Sequence, residues 1–523
     1  MPSNNSKLLL RGAFILTIAA IITKILSAVY RVPFQNIVGD IGFYIYQQVY
    51  PIYGIAIALN TYGFPVIISK LVAEAELNKK VNSRDIIHAS FIFIGVFGLL
   101  LFSVVFFGAE LIAGWMGDQN LTPLIKVVSF TFLLVPFIST IRGYFQGKGD
   151  MLPTAVSQVQ EQLIRVTFIL VLSYILMKKG FSLYLVGSST LISSIGGSLT
   201  ALITLLIFYF RSKKKNENLT RPGNFYRTIG SKLFIQGTAV CISGALLVLF
   251  QFVDSLNIFS LLVKSGVETE KAKELKGIFD RGQPLIQLGT VVATSFSLTL
   301  VPSLSSKGKE VDQTRLIEKI NIALKISLIV GLGATVGIIS IMEPTNILLF
   351  SNNEGTRVLQ VFAVAIIFSS MILTITGIFQ GMGYLITPAK YIILGILFKF
   401  IGNYVLIPKF GTMGASLSTV IALMITLGFC IFKLKKIGIQ LLSMQFYIKI
   451  SLSVLIMASI LQVWTRVFDY FHMDSRFWSC INALGGVSIG GVFYLFTIGA
   501  FKLLDDKEVS QIPFGKLFTR SKR

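Results

Sequence analysis

The chain is poor in charge. Of its 523 residues only 14% are Asp, Glu, Lys or Arg, against 54% that are hydrophobic, and its mean hydropathy is +0.76. A soluble domain carries roughly a quarter charged residues, so this composition excludes a water-soluble globule and implies a protein of many membrane spans. Histidine is nearly absent. His88 and His472 both fall near expected span ends, which leaves almost nothing for a histidine-based triad or a His-ligated metal centre. No enzyme of the conventional hydrolytic kind and no metal site is expected. The three cysteines, Cys241, Cys430 and Cys480, are far apart, and each lies in an apolar run without the spacing of a disulfide framework; they are expected to pack as small apolar residues. Acids are scarce too, 24 against 47 Lys and Arg, giving a net charge of +23.

What is present is a succession of apolar runs. At roughly 20 residues per crossing, about fourteen helices are expected, near 9–30, 43–69, 86–108, 123–145, 153–177, 183–210, 229–256, 278–304, 316–341, 357–379, 387–407, 411–432, 446–467 and 478–502. The first run is too long for a signal peptide and carries Lys24 deep within it, so it is expected to be a retained span.

An even number of spans puts both termini on one side, and the Lys/Arg bias names that side. With the N-terminus inside, inner connections collect most of the basic residues, from Lys7 and Arg11 to the tail's Arg523. The outer set is short: Arg31, Lys178, Lys179, Lys264, Lys271, Lys273, Lys276, Arg357, Lys409, Arg466 and Arg476. Cytoplasmic termini in a bacterial plasma membrane follow as the expectation, and Trp115, Trp464 and Trp478 fall near outer ends as an interfacial belt would. The positive charge is thereby mostly an orientation signal, and a nucleic-acid partner is not expected. The longest basic inner segment, RSKKKNENLTRPGNFYR (Arg211 to Arg227), marks a linker. The expected organisation is a six-helix lobe over 1–210, the linker over 211–228, a second six-helix lobe over 229–436, and two extra spans with a basic tail over 437–523.

A repeat supports that division. FQGKGDMLP follows Gly143 and FQGMGYLITP follows Gly377, 234 positions apart. The same offset matches Arg165 with Lys399, and an offset of 237 matches PVIISK (Pro65 to Lys70) with PSLSSK (Pro302 to Lys307). Two parallel, pseudo-symmetric bundles are implied, an arrangement that places a transport site at their interface. The tag itself is expected to be a glycine turn.

Charges inside the spans need explaining. Lys126, Lys232 and Lys390 lie within a turn of an inner end and are expected to snorkel. Arg165 lies 12 residues beyond Pro153, about 18 Å deep at 1.5 Å per residue, on a polar stripe with Gln158, Glu161 and Gln162. It either lines a cavity or pairs with Glu161 on its own helix. Lys399 has no acid on its helix, Lys24 lies deep in the first span, and Arg281 follows Asp280 near an outer end, where a plain interfacial charge is an alternative. These cations outnumber the acids Glu161, Asp254 and Asp280, which favours an anionic substrate, with arginine suited to phosphate.

The order of several motifs resembles the polysaccharide-transport branch of the multidrug/oligosaccharidyl-lipid/polysaccharide (MOP) exporter superfamily. These motifs are TKIL (Thr23 to Leu26) with Arg31, VGDIGFY (Val38 to Tyr44), GFP (Gly63 to Pro65) with Ser69-Lys70, both FQG tags, and DRGQPL (Asp280 to Leu285) leading to LVPSLS (Leu300 to Ser305). The similarity is to stage-V-sporulation-B- and YabM-type proteins and, more distantly, to MurJ-like lipid flippases. It implies an all-α, polytopic MATE/MurJ-like fold that moves an undecaprenyl-diphosphate-linked oligosaccharide or peptidoglycan precursor outward by alternating access. The expected substrate-binding cations are Lys24, Arg31, Arg165, Arg281 and Lys399; of these the resemblance matches Lys24 to the family's first-helix basic residue and Arg281 to its eighth-helix arginine, and Lys stands at 24 where MurJ-like members usually have Arg. Asp254, with Glu161 and Asp280, is the expected place for coupling to an H+ or Na+ gradient or to the membrane potential, with no other cofactor. The alternative on the same architecture is a multidrug/cation antiporter, for which buried carboxylates would govern function.

Overall fold

The computed structural model describes residues 4–78, 81–212, 224–291, 313–439, 442–471, 475–505 and 508. Among these the regular elements are all helical. The first half comprises α1 (Asn4–Val29), α2 (Arg31–Ala58), α3 (Phe64–Asn78), α4 (Ser83–Phe107), α5 (Ala109–Met116), α6 (Thr122–Ser129), α7 (Thr131–Gly147), α8 (Leu152–Lys178) and α9 (Leu183–Arg211). The second comprises α10 (Phe225–Lys232), α11 (Thr238–Gly244), α12 (Leu246–Lys264), α13 (Thr269–Asp280), α14 (282–291), α15 (Gln313–Ser340), α16 (Met342–Phe350), α17 (Thr356–Ala363), α18 (Ala365–Gly381), α19 (Ile386–Phe410) and α20 (Thr412–Lys436). Two final helices, α21 (Met444–Tyr470) and α22 (Arg476–Ala500), pack on α15: Ile450, Met457 and Leu461 share a core with Leu324 and Ile329, and Tyr494 donates to the Ile329 carbonyl at 2.8 Å. Four helices start where a side chain accepts an orphan backbone N–H: Asn82, Ser182, Ser443 and Ser475.

Among the described residues twelve segments are long and apolar enough to cross a membrane. One of them, Phe14–Leu77, is 64 residues long, about three times one crossing. The chain reverses inside it at Gly39, whose φ of 70° leaves the helical region. Aromatic contacts pair residues about that point: Phe34 with Phe43, and Tyr30 with Tyr46. The expected boundary at residue 30 is therefore corrected. Tyr30 is only a break, with Pro33 unable to donate to the carbonyl four residues back, and the first span runs on to residue 38. The eighth expected span, 278–304, is helical through 291 and beyond that lies outside the described residues, as do PSLSSK and most of the basic linker.

The repeat is visible as geometry. At the offset of 234, α6 and α7 correspond residue for residue to α17 and α18, and the breaks between them, Phe130 and Val364, have nearly the same torsions. Gly117 and Ser351, also equivalent, both adopt positive φ (84° and 65°). Each FQG tag closes its helix with the same pair of bonds. Asp150 N–H reaches Phe145 C=O (3.0 Å) and Gly149 N–H reaches Gln146 C=O (3.0 Å); Tyr384 reaches Phe379 (2.8 Å) and Gly383 reaches Gln380 (3.1 Å). This is the glycine C-cap that satisfies terminal carbonyls, so the tag is a turn. The membrane face carrying both tags is called the turn face below, and the opposite one the far face.

Candidate functional site

Between the halves lies a cavity of about 280 Å³. Its first-half wall carries Lys24 on α1, Tyr50 and Tyr53 on α2, and Gln158, Glu161 and Gln162 on α8; Ser243, Gln287, Thr290, Thr376 and Gln380 face it from the second half. The α8 set follows from its spacing of three and four residues, which keeps these side chains on one face.

The halves meet on both sides of the cavity. Towards the turn face the contact is made through missing side chains: a Cβ on Gly63 would come within 2.8 Å of the Cys241 Cβ, and one on Gly244 within 2.9 Å of the Tyr62 Cβ. At the far face a Cβ on Gly277 would overlap the Asp40 carbonyl oxygen. There Arg281 grips both Asp40 carboxylate oxygens, from Nε at 2.9 Å and Nη2 at 2.6 Å, and donates from Nη1 to Asn352 Oδ1 at 2.6 Å. Helix α13 ends beside this arginine because Pro284 cannot donate to residue 280. Asn352 is the 234-equivalent of Asp118, which accepts from Tyr44 (3.2 Å) and Tyr184 (2.6 Å). Burial opposes charge on the Lys273 ammonium beside Tyr184, but its hydrogen bonds to Glu270 and Tyr184 outweigh this and raise its pKa.

Of the five expected cations, the structure brings one, Lys24, to the cavity wall. Arg31, expected in an outer connection, is fully buried because the first span continues past it. Its Cζ lies 4.4 Å from the centre of the Tyr50 ring. Arg165 is also fully buried, donating from Nη2 to Tyr30 Oη at 2.9 Å with its Cζ 4.9 Å from the Tyr53 ring centre. Arg281 belongs to the far-face contact. Lys399 does not face Arg165 across the cavity; it is buried inside its own half, 2.7 Å from Asp254 Oδ1 and 2.6 Å from Thr419 Oγ1. Asn403 joins that cluster, donating to Asp254 Oδ1 and Asn257 Oδ1 at 3.1 and 2.8 Å.

The acids are also engaged. Glu161 reaches the cavity wall but pairs with Arg142 at 2.9 Å and accepts from Ser198 at 2.9 Å, so the alternative for Arg165, a pair with Glu161, is not formed. Asp280 is fully buried against Lys276 at 2.6 Å. Arg142 and Lys276, both counted with the connections in the sequence, are thus buried partners. Each left a usable signal: Lys276 and Asp280 are spaced i, i+4, and folding the chain at the FQGKGD turn lays Arg142 against Ser157 and Glu161.

Comparison with known proteins agrees with this architecture. Residues 9–308 match the family described as polysaccharide biosynthesis protein, and residues 285–480 match the family lipid II flippase MurJ. In Bacillus subtilis (strain 168), the "Uncharacterized membrane protein YabM" is 43% identical over 98% of this chain and 96% of its own length. The lipid II flippase MurJ of that organism is 26% identical over 94% of this chain and 95% of its own, and its stage V sporulation protein B is 26% identical over 98% and 99%. Among solved structures, lipid II flippase MurJ in an inward closed conformation aligns with a TM-score of 0.64 at 19% identity, covering 93% of this chain and 98% of that one. An outward-facing MATE family transporter of the MOP superfamily aligns at 0.61 and 17%, covering 84% and 99%. These last two show the fold. With a family match over more than half its length and a relative at 43% identity along nearly all of it, the chain belongs to the polysaccharide biosynthesis protein family, built on the two-halved fold that MurJ and MATE transporters share.

Proposed function

We propose that the protein is a flippase that carries an undecaprenyl-diphosphate-linked oligosaccharide or peptidoglycan precursor across the bacterial plasma membrane by alternating access, with its turn face and both termini in the cytoplasm. The observation that carries this reading is the balance of buried charge. Asp254, Asp280, Glu161 and Asp40 are each held by a cation. Arg31 and Arg165, by contrast, have no carboxylate within ion-pair distance among the described residues. Two buried positive charges without counterions are costly, and an anionic headgroup would supply the missing partner. The many hydroxyl and amide groups on the cavity wall suit a saccharide. The relationship to MurJ supports a lipid-linked cargo.

A multidrug or cation antiporter on the same fold would need carboxylates free to bind its cargo, and those near the cavity are bound to Arg or Lys. Depletion of the protein, followed by extraction and mass analysis of membrane lipids, tests the proposal. The expected result is build-up of a diphosphate-linked saccharide, rescued by wild type and poorly by Lys24→Met. Unchanged lipid pools, together with altered drug sensitivity on Asp254→Asn, would favour the antiporter.

A further inference from the structure

Among the described residues two turns are π-helical, Leu59–Gly63 between α2 and α3 and Leu233–Gly237 between α10 and α11. They come from different halves, and each ends on a glycine. They meet at the turn-face contact: a Cβ on Gly63 would lie 3.2 Å from the Gly237 carbonyl oxygen, and one on Gly237 would lie 2.9 Å from Phe64 Cδ1. A π-turn loops in one residue more than an α-helical turn, is a place where helices bend, and recurs at functional sites. The first of these two brings Thr61 and Tyr62 to the cavity wall and Gly63 to the contact that seals it.

Arg142 holds that turn in place. Its buried guanidinium gives each nitrogen a different partner: Nε donates to Ser157 Oγ at 3.2 Å, Nη2 to Glu161 Oε2 at 2.9 Å, and Nη1 to the carbonyl of Asn60, inside the π-turn, at 3.4 Å. The helix that carries it is itself fixed. A Cβ on Gly143 would come within 2.6 Å of the Ile68 Cβ, and one on Gly147 within 2.6 Å of the Val72 Cβ, so α7 and α3 are pressed together without room to slide. The π-turn is therefore the joint between α2 and a block made of α3 and α7, and Arg142 spans the joint. Because Glu161 faces the cavity, one guanidinium is shared between the wall that meets the cargo and the backbone that closes the cavity. At the offset of 234 the second half has Thr376, Tyr391 and Gly395 in place of Arg142, Ser157 and Glu161, so the brace belongs to the first half.

We propose that Arg142 is the positioning residue of the turn-face seal: it pins the π-turn so that Tyr62 and Gly63 stay against Gly244 and Cys241, and it passes the state of Glu161 to that seal. The inference rests on the alternating-access reading above. A guanidinium let go by Glu161 also loses its fixed aim at the Asn60 carbonyl. Whatever draws that carboxylate into the cavity therefore loosens the seal.

The test uses the full chain in lipid nanodiscs, with Cys430→Ser and Cys480→Ser leaving Cys241, buried in the seal, as the reporter for a hydrophilic maleimide. Gly63→Ala, whose methyl has no room beside the Cys241 Cβ, sets the rate of an open seal. Arg142→Lys keeps an ammonium for Glu161 but cannot reach the partners that the spread guanidinium nitrogens reach together. Its melting temperature is expected to stay near wild type while Cys241 reacts at least about tenfold faster, the change that matches loss of one charge-assisted hydrogen bond. A merely structural ion pair would instead leave the Lys variant at the wild-type rate, and that result overturns the proposal. Glu161→Gln is expected to raise the rate by a smaller factor and to add nothing to Arg142→Lys, since the two side chains act as one unit; a wild-type rate in Glu161→Gln overturns the link to the cavity. If Arg142→Lys does not fold, Arg142→Met combined with Glu161→Gln, which removes both charges, is read in its place. A far-face reporter, Val38→Cys with Cys241→Ser, is expected not to speed up in the same variants, and equal acceleration there would mean general loosening and overturn the seal. Faster labelling of Cys241 in a protein whose depletion leaves lipid-linked saccharides unchanged would uphold the seal and reject the flippase reading.

Discussion

At the scale of single residues, Lys399 and Asp254 show how far a pairing changes a side chain's meaning. Both are almost fully buried and 2.7 Å apart, so each is tolerable only because of the other. Lys399→Met leaves the carboxylate uncompensated and is expected to cost about 3–5 kcal/mol, read as a marked fall in melting temperature in detergent. Adding Asp254→Asn should recover much of the loss, since a buried ion pair replaced by neutral groups is often nearly neutral. If the double variant is no more stable than the single, the pair is not the source of the effect. Asn403 would remain to bond the new amide.

Among elements, the positive-φ position that ends α5 and α16 permits a sharper comparison. Gly117→Ala places a methyl group in a conformation that costs L residues roughly 1–2 kcal/mol, and within 3.1 Å of the Ser260 Cβ. A lower melting temperature is expected. Ser351 already occupies the equivalent conformation with a side chain, so Ser351→Gly should change stability by less than about 1 kcal/mol. Element order and the C-caps were legible in the sequence because they depend on local periodicity and on glycine at fixed offsets. The end of the first span was not. Apolar content drops at Arg31, yet the helix continues to Gly39 because Tyr50 and the aromatic residues around it bury that arginine, a circumstance set by residues a hairpin away. Lys399 was equally out of reach, its partner lying on α12, which no helical spacing relates to α19.

Over the whole molecule, the halves are closed against one another on both sides of the cavity, by glycine contacts towards the turn face and by Arg281, Asp40 and Gly277 at the far face. Opening the far face must break the Arg281–Asp40 pair. Arg281→Ala is therefore expected to shift the protein towards an open far face, so that a reporter cysteine at Val38, buried now, reacts faster with a membrane-impermeant maleimide. An unchanged rate would remove this pair from the gate. Gly277→Ala should act the same way and more strongly, since its Cβ has no room beside the Asp40 carbonyl.

Asp40 and Gly277 are equivalent positions at the 237-residue offset, and so are Tyr44 and Arg281. Strict duplication would therefore clasp the far face twice, once from each half. This chain has kept one clasp: Tyr44 turns to Asp118, and position 277 offers no carboxylate. Among the described residues the far face is thus bolted by one ion pair, backed by hydrogen bonds from Asn36 to the Leu349 carbonyl (2.8 Å) and between Lys273 and Tyr184, so unlatching needs no concerted rupture of two ion pairs.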